Sequence, residues 1–179
     1  RDTLVAEVVQ DQISTAHPVG ALVVAPLAQV AGVWQASPEL VILPDSPRLG
    51  EHREVFKNLL GLLEEVPTTG EAGDSTYENT DKIANTFKLF KKLESDLNER
   101  VDAEAYLNAR LFDFLLGDWD RHQKQWKWAR LAQSDDESKV RTWRPIASDR
   151  DQAFSRYDGL LPWLATQTTR QLNGVTESY

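Results

Sequence analysis

The hydrophobic period of this chain changes at Gly117, and that change constrains the fold more than any other feature. Before Gly117, Leu107, Leu111, Phe114 and Leu115 recur at i, i+4, i+7 and i+8, the spacing of one helix face. After it, Trp126 and Trp128 alternate with Gln125, Lys127 and Arg130, which is the period of a strand. Beyond a charged stretch, Ser134 to Lys139, which reads as a solvated turn, Val140, Thr142 and Arg144 alternate with Arg141 and Trp143. Residues 125–147 therefore read as a β-hairpin, with Trp126 and Trp128 on one buried face. Its two ends meet. Gly117-Asp118-Trp119-Asp120-Arg121-His122 is thereby expected beside Ser148-Asp149-Arg150-Asp151, two acidic clusters about 30 residues apart in sequence. Neighbouring carboxylates repel and are costly unless a cation lies between them. With oxygen ligands, that cation is Mg²⁺ or Mn²⁺.

The rest of the chain supports one domain or two small lobes sharing a cleft. Residues 18–31 carry a helical apolar run, opened by Pro18 and closed by Gly32, with Pro26 as an objection in mid-helix. Glu39 to Leu43 reads as a short strand stopped by Pro44. Phe56 to Leu63 fits either helix or strand. Thr68 to Asn79 is polar, carries two glycines and reads as a flexible connector. Ile83, Phe87, Phe90 and Leu97 fall on one stripe, so residues 80–117 read as two helices. The second is N-capped by Asp102, with Glu104 in its first turn, and is stopped by Gly117.

Composition excludes several classes. There are 20 Lys and Arg against 28 Asp and Glu, a net charge of −8. Nucleic-acid binding needs a basic face, so it is not expected. The absence of Cys excludes disulfides, thiolate zinc sites and cysteine nucleophiles. No apolar run reaches the roughly 18–20 residues that span a bilayer. The chain starts at Arg1 and holds no Met, and the start fits a trimmed piece of a longer protein.

The clustered residues suit phosphoryl transfer. In that chemistry one Asp orients or deprotonates the acceptor hydroxyl, a nearby amide holds a metal, and a second Asp holds the metals that bridge the phosphates. Asp120 fits the first role, Gln125 (five positions later) the second and Asp149 the third, with Asp151 in reserve. Asp118 reads as a capping or orienting group. Arg121 reads as the partner of a nearby carboxylate, and His122 as a buried hydrogen-bonding residue that fixes the loop. His17 and His52 are too isolated to complete a histidine site. No Gly-x-Ser-x-Gly elbow marks a serine hydrolase. A two-carboxylate glycosidase stays open as an alternative, and so does a plain polar turn after a helix.

These residues also carry a resemblance. Asp120-Arg121-His122 after an apolar helix, then a hairpin and Asp149-x-Asp151-x-x-Phe154, resembles the atypical kinases: CotH-type spore-coat kinases, Golgi casein kinases, HipA-like kinases and lipid kinases. A narrower likeness is carried by Asp11-Gln12-Ile13-Ser14, His17-Pro18, Leu111-Phe112-Asp113, Arg144-Pro145-Ile146 and Asp158-Gly159-Leu160-Leu161-Pro162-Trp163. With the two acidic segments, these are similar to a kinase-like domain of bacterial envelope proteins, often fused to a metallophosphoesterase or an outer-membrane barrel. The likeness covers roughly residues 5–165.

The resemblance implies an α+β, protein-kinase-like fold with a mostly helical large lobe, a partial small lobe and a β-hairpin at the catalytic loop. Residues 1–67 would be the partial small lobe and hinge, 68–79 the connector and 80–179 the large lobe. Glu64, Glu65 and Val66 would contact the nucleotide base at the hinge. ATP or another nucleoside triphosphate with Mg²⁺ or Mn²⁺ is the implied cofactor, and a bacterial cell envelope the implied location. Gln125 stands where Asn is usual, and the glycines form no phosphate loop. No turnover is therefore expected from these 179 residues alone. The acceptor is left unidentified, and other domains of the same chain are further partners. The alternative is a catalytically dead kinase-like interaction or scaffold module of a larger bacterial envelope protein.

Overall fold

A computed structural model describes residues 17–68, 77, 79–118, 121–132 and 139–155. Expectations placed on Asp11–Ser14, most of the 68–79 connector, Trp119, Asp120, the turn at 133–138 and Asp158–Trp163 fall outside these residues. The described chain is α+β, with four α-helices and two sheets. No helix among the described residues is long and apolar enough to cross a membrane.

Helix α1 (Gly20–Val30) forms despite Pro26 and buries Gly20, Ala21, Val24 and Ala28. Its first residue is glycine for a steric reason. A Cβ on Gly20 would lie 2.9 Å from the Ala153 carbonyl oxygen, so the helix and the segment after the hairpin touch backbone to backbone. Strand β1 (Glu39–Ile42) pairs antiparallel with β2 (Leu60–Leu63), Glu39 opposite Leu63 and Ile42 opposite Leu60. Between them lie a 3₁₀ turn (Pro47–His52) and the single-turn helix α2 (Arg53–Phe56). Phe56 to Leu63, ambiguous from its pattern, is thus the end of a helix followed by a strand.

The second sheet has the order β3 (Thr80–Asn85), β5 (Trp126–Leu131), β6 (Arg141–Ala147), β4 (Glu99–Val101). Strands β5 (Trp126–Leu131) and β6 (Arg141–Ala147) form the expected hairpin, antiparallel, with Trp126 opposite Ala147 and Arg130 opposite Trp143. Trp126, Trp128 and Trp143 are buried. Two buried indoles have partners for their N–H, as such groups require: Trp128 donates to Thr86 Oγ1 (3.0 Å) and Trp143 to the buried Glu99 carboxylate (2.6 Å). Tyr106 packs edge-on against Trp126 and tilted against Trp128, with ring centroids 5.5 and 5.6 Å away.

The reading of 80–117 as two helices needs correction. Thr80–Asn85 is strand β3, paired with β5, and Ile83 therefore lies in a sheet. Helix α3 (Thr86–Ser95) follows, N-capped by Asn85, and a three-residue strand β4 (Glu99–Val101) runs parallel to β6. Helix α4 (Ala103–Leu116) has the expected Asp102 cap, its Oδ1 accepting from Ala105 N–H at 3.0 Å. The buried face of α4 is Ala109, Phe112, Asp113 and Leu116. The stripe Leu107, Leu111, Phe114 and Leu115 lies on the opposite side and is exposed, Leu115 at 79%. The helix is apolar on two faces, and period alone does not tell which one packs.

Gly117 ends α4 in the left-handed region, φ 65°, where its N–H and that of Asp118 close onto the carbonyls of Phe114 and Asp113. A side chain at this φ costs roughly 1–2 kcal/mol. Gly117→Ala is expected to lower the unfolding free energy by about that amount, read as a shifted urea midpoint at unchanged slope.

Candidate functional site

The site is built where the hairpin returns the chain to the end of α4. Its centre is a buried ionic knot. Asp113, 1% exposed, accepts from Arg150 Nη1 through Oδ1 and from Arg110 Nη1 (2.7 Å) through Oδ2, with Arg121 Nε 3.4 Å from Oδ2. Asp118 Oδ2 accepts from Arg121 Nη2 and from Arg150 Nη1 (2.9 Å). Arg121 Nη1 also donates to the Ser148 carbonyl, and Arg150 Nε donates to Gln35 Oε1 at 3.1 Å. Asp118 and Arg121 therefore act as the sequence suggested, one orienting and the other paired to carboxylate. Asp151 does not take Arg121 or Arg150 among the described ion pairs; both guanidiniums serve Asp113 and Asp118.

Gln125 ties the two loops directly. Its Nε2 donates to Asp149 Oδ2 (3.2 Å), and its Oε1 accepts the His122 backbone N–H (3.1 Å). Its backbone carbonyl accepts both the N–H and the Oγ of Ser148, each at 3.0 Å. Gln125 is buried, whereas His122 is exposed and fixes the loop by capping, Nδ1 accepting from Lys124 N–H at 3.3 Å. Asp149 sits in the left-handed region at φ 62°, a conformation that Asp tolerates better than most residues.

Three carboxylates gather on the solvent side of this knot. Glu64, in the extended segment that follows β2, accepts the Asp149 backbone N–H and lies near Asp151. Burial first, and then the charge of Asp149, push its pKa above the usual carboxylate value. Asp151 is pushed up in the same direction by burial and by Asp149 beside it. Close by, burial and then the charges of Glu65 and Glu64 raise the Tyr77 phenol to about 12. Val66 is exposed. Of the expected hinge residues, Glu64 is thus brought to Asp149 and Asp151, a meeting that hydrophobic pattern did not foretell. Asp120 lies outside the described residues.

Among the described residues no group of three or more His, Asp or Glu side chains is set as a metal cage. The chemistry of the donors nonetheless fits a hard divalent cation, because Asp149, Asp151 and Glu64 offer carboxylate oxygens, and Glu64 and Asp151 carry charge that burial disfavours. Gln125 fits less directly. The end it turns towards Asp149 is the amide nitrogen, which cannot coordinate a cation. No family model, curated protein or solved structure matches the chain.

Two outcomes follow from these energetics. Asp113→Ala leaves the buried Arg150 and Arg121 with Asp118 alone between them, and loss of one partner of a buried pair costs about 3–5 kcal/mol. Urea unfolding is expected to show that loss, while Glu54→Ala, which breaks the exposed Lys57–Glu54 pair, changes stability by under about 0.5 kcal/mol. The pH dependence of Glu64 has a definite sign. A carboxyl whose pKa is higher folded than unfolded opposes folding above that folded value and is neutral to it below the unfolded one. Glu64→Gln is therefore expected to raise the urea midpoint at pH 7 and to leave it unchanged near pH 3. An equal gain at both pH values would contradict the raised pKa.

Proposed function

We propose that this chain is a kinase-like module that binds a nucleoside triphosphate with Mg²⁺ or Mn²⁺ at the junction of its two acidic loops. The observation that carries the reading is the lock between those loops, Gln125 Nε2 on Asp149 Oδ2 at 3.2 Å with Ser148 on the Gln125 carbonyl. It supports the layout that phosphoryl transfer needs, with a catalytic-loop segment held one hairpin away from a metal-holding Asp. In this reading residues 1–67 form a partial small lobe and hinge, and 80–179 a large lobe with a protein-kinase-like arrangement. Glu64, Glu65 and Val66 line the base side. Asp149 and Asp151 hold the cation, Gln125 completes the set after turning its amide, and Asp120 orients the acceptor hydroxyl. The bound cation would neutralise the phosphates and the cluster together. The setting is a bacterial cell envelope protein, and the acceptor is a partner of unassigned chemistry.

One observation favours a second reading, a kinase-like scaffold that binds no metal. Gln125 Oε1, the atom a cation would need, already accepts the His122 N–H.

Because the sequence holds no Gly-rich phosphate loop, binding and not turnover is the decisive measurement. Thermal unfolding with ATP and Mn²⁺ at one hundred times the dissociation constant is expected to show about 2.7 kcal/mol of added stability. Asp149→Ala should abolish the gain. An equal gain in that variant, or none in the parent protein, would overturn the nucleotide reading and favour the scaffold.

A further inference from the structure

Asp149 is held from both sides. Ser148, before it, gives its carbonyl to Arg121 Nη1 and its N–H and hydroxyl to the Gln125 carbonyl. Arg150, after it, is buried between Asp113 and Asp118. Between these anchors Asp149 has φ 62°, a conformation that persists only where the surroundings over-determine it. Both anchors meet the same two acids. Asp118 accepts from both guanidiniums, and Asp113 accepts from Arg150 through one oxygen while its other oxygen forms an ion pair with Arg121, 3.4 Å from Nε. Asp113 sits in the last turn of the 14-residue helix α4, whereas Asp118 lies in the turn beyond it, and Asp113 touches neither Asp149 nor Asp151 in any described ion pair or hydrogen bond. Arg150 meets both acids through Nη1 and Gln35 Oε1 through Nε, so its planar guanidinium is fixed in direction as well as distance.

We propose that Asp113 is the positioning residue of the site: through Arg150 and Arg121 it sets the backbone of Asp149 and aims that carboxylate at the place a cation would occupy. The geometric half of this stands on the described contacts alone. The functional half rests on the nucleotide reading above. Asp113→Asn keeps the size of the side chain and removes its charge and one of its two acceptors. The two anchors then loosen while the β5–β6 ladder, whose bonds do not involve Asp113, stays closed.

The test uses the full chain and two readouts. Amide hydrogen exchange, with no ligand present, is expected to rise at least tenfold at 121–125 and 148–153 in Asp113→Asn, with Ala129 and Ile146 unchanged. Mn²⁺·ATP affinity is expected to fall at least tenfold, and the double variant Asp113→Asn/Arg150→Gln to bind no more weakly than the worse single one, because the two act as a unit. If Asp113→Asn does not fold, Arg150→Lys keeps the charge, loses the planar group that spans the two acids and Gln35, and is expected to give the same exchange pattern. Exchange that is unchanged in the two loops, or that rises equally across the sheet, overturns the positioning role. Additive losses in the double variant overturn it as well. A parent protein that takes up no Mn²⁺·ATP overturns the functional half, while the exchange pattern still decides the geometric one.

Discussion

A guanidinium buried to 2% exposure has to be neutralised where it stands, and Arg150 meets that need with two carboxylates from elsewhere in the chain. Asp113 comes from a helix and Asp118 from the turn that ends it, so the ion pairs fix the hairpin's return against α4. Arg121 and Arg110 add two more positive charges to the same two acids. Three guanidiniums against two carboxylates leave the knot positive. That excess has a visible effect on Arg121, whose pKa is lowered by burial and then by Arg150. It also acts outward, since Arg150 draws the Glu64 pKa down against the larger effects that raise it. A basic interior beneath an acidic surface is what allows Glu64, Asp149 and Asp151 to stay close.

The compensation is incomplete. Glu64 and Asp151 both remain above ordinary carboxylate pKa values, so burial and mutual repulsion outweigh the attraction of the knot. The backbone adds to the cost, with Asp149 in the left-handed region. Several buried polar atoms around the knot, Asp118 Oδ1 and Arg150 Nη2 among them, have no protein hydrogen-bond partner. Unfavourable terms concentrated in one place are the pattern of a site kept for something other than stability.

Much of this was legible in the residues. The switch of period at Gly117 places the hairpin, and the hairpin alone brings 118–125 to 148–151. The Asp102 cap and the Gly117 stop follow from local chemistry that does not depend on distant partners. Strands β3 and β4 were hidden for the opposite reason. Lys82, Ile83 and Ala84 become a strand by pairing with Arg130, Ala129 and Trp128, a contact made across half the domain. The packed face of α4 does not follow from the period, because the helix has two apolar sides. A signal was nonetheless present: Asp113 shares its face with Ala109, Phe112 and Leu116, and an acid there requires a buried cation. The meeting of Glu64 with Asp149 had no such signal, because it depends on where the β1–β2 ribbon sits relative to the hairpin.

Gln125 is where the metal-holding and scaffold readings separate physically. Asn has one methylene fewer, so its amide cannot reach back to a backbone N–H while also spanning to a carboxylate across the loop. Gln can, and here it bridges His122 N–H and Asp149 Oδ2. Turning the amide to present oxygen to a cation would give up both bonds, about 1 kcal/mol each and more for the one to a charged acceptor. A divalent ion gains far more than that from two hard oxygen ligands, provided the loop lets the oxygen approach. In the proposed metal-holding reading the lock would be weak enough for a cation to open; in the scaffold reading it stays closed. It holds Asp149 from one side, and the buried knot holds the neighbouring backbone from the other, where Arg150 meets Asp113 and Asp118 through Nη1 and Gln35 through Nε.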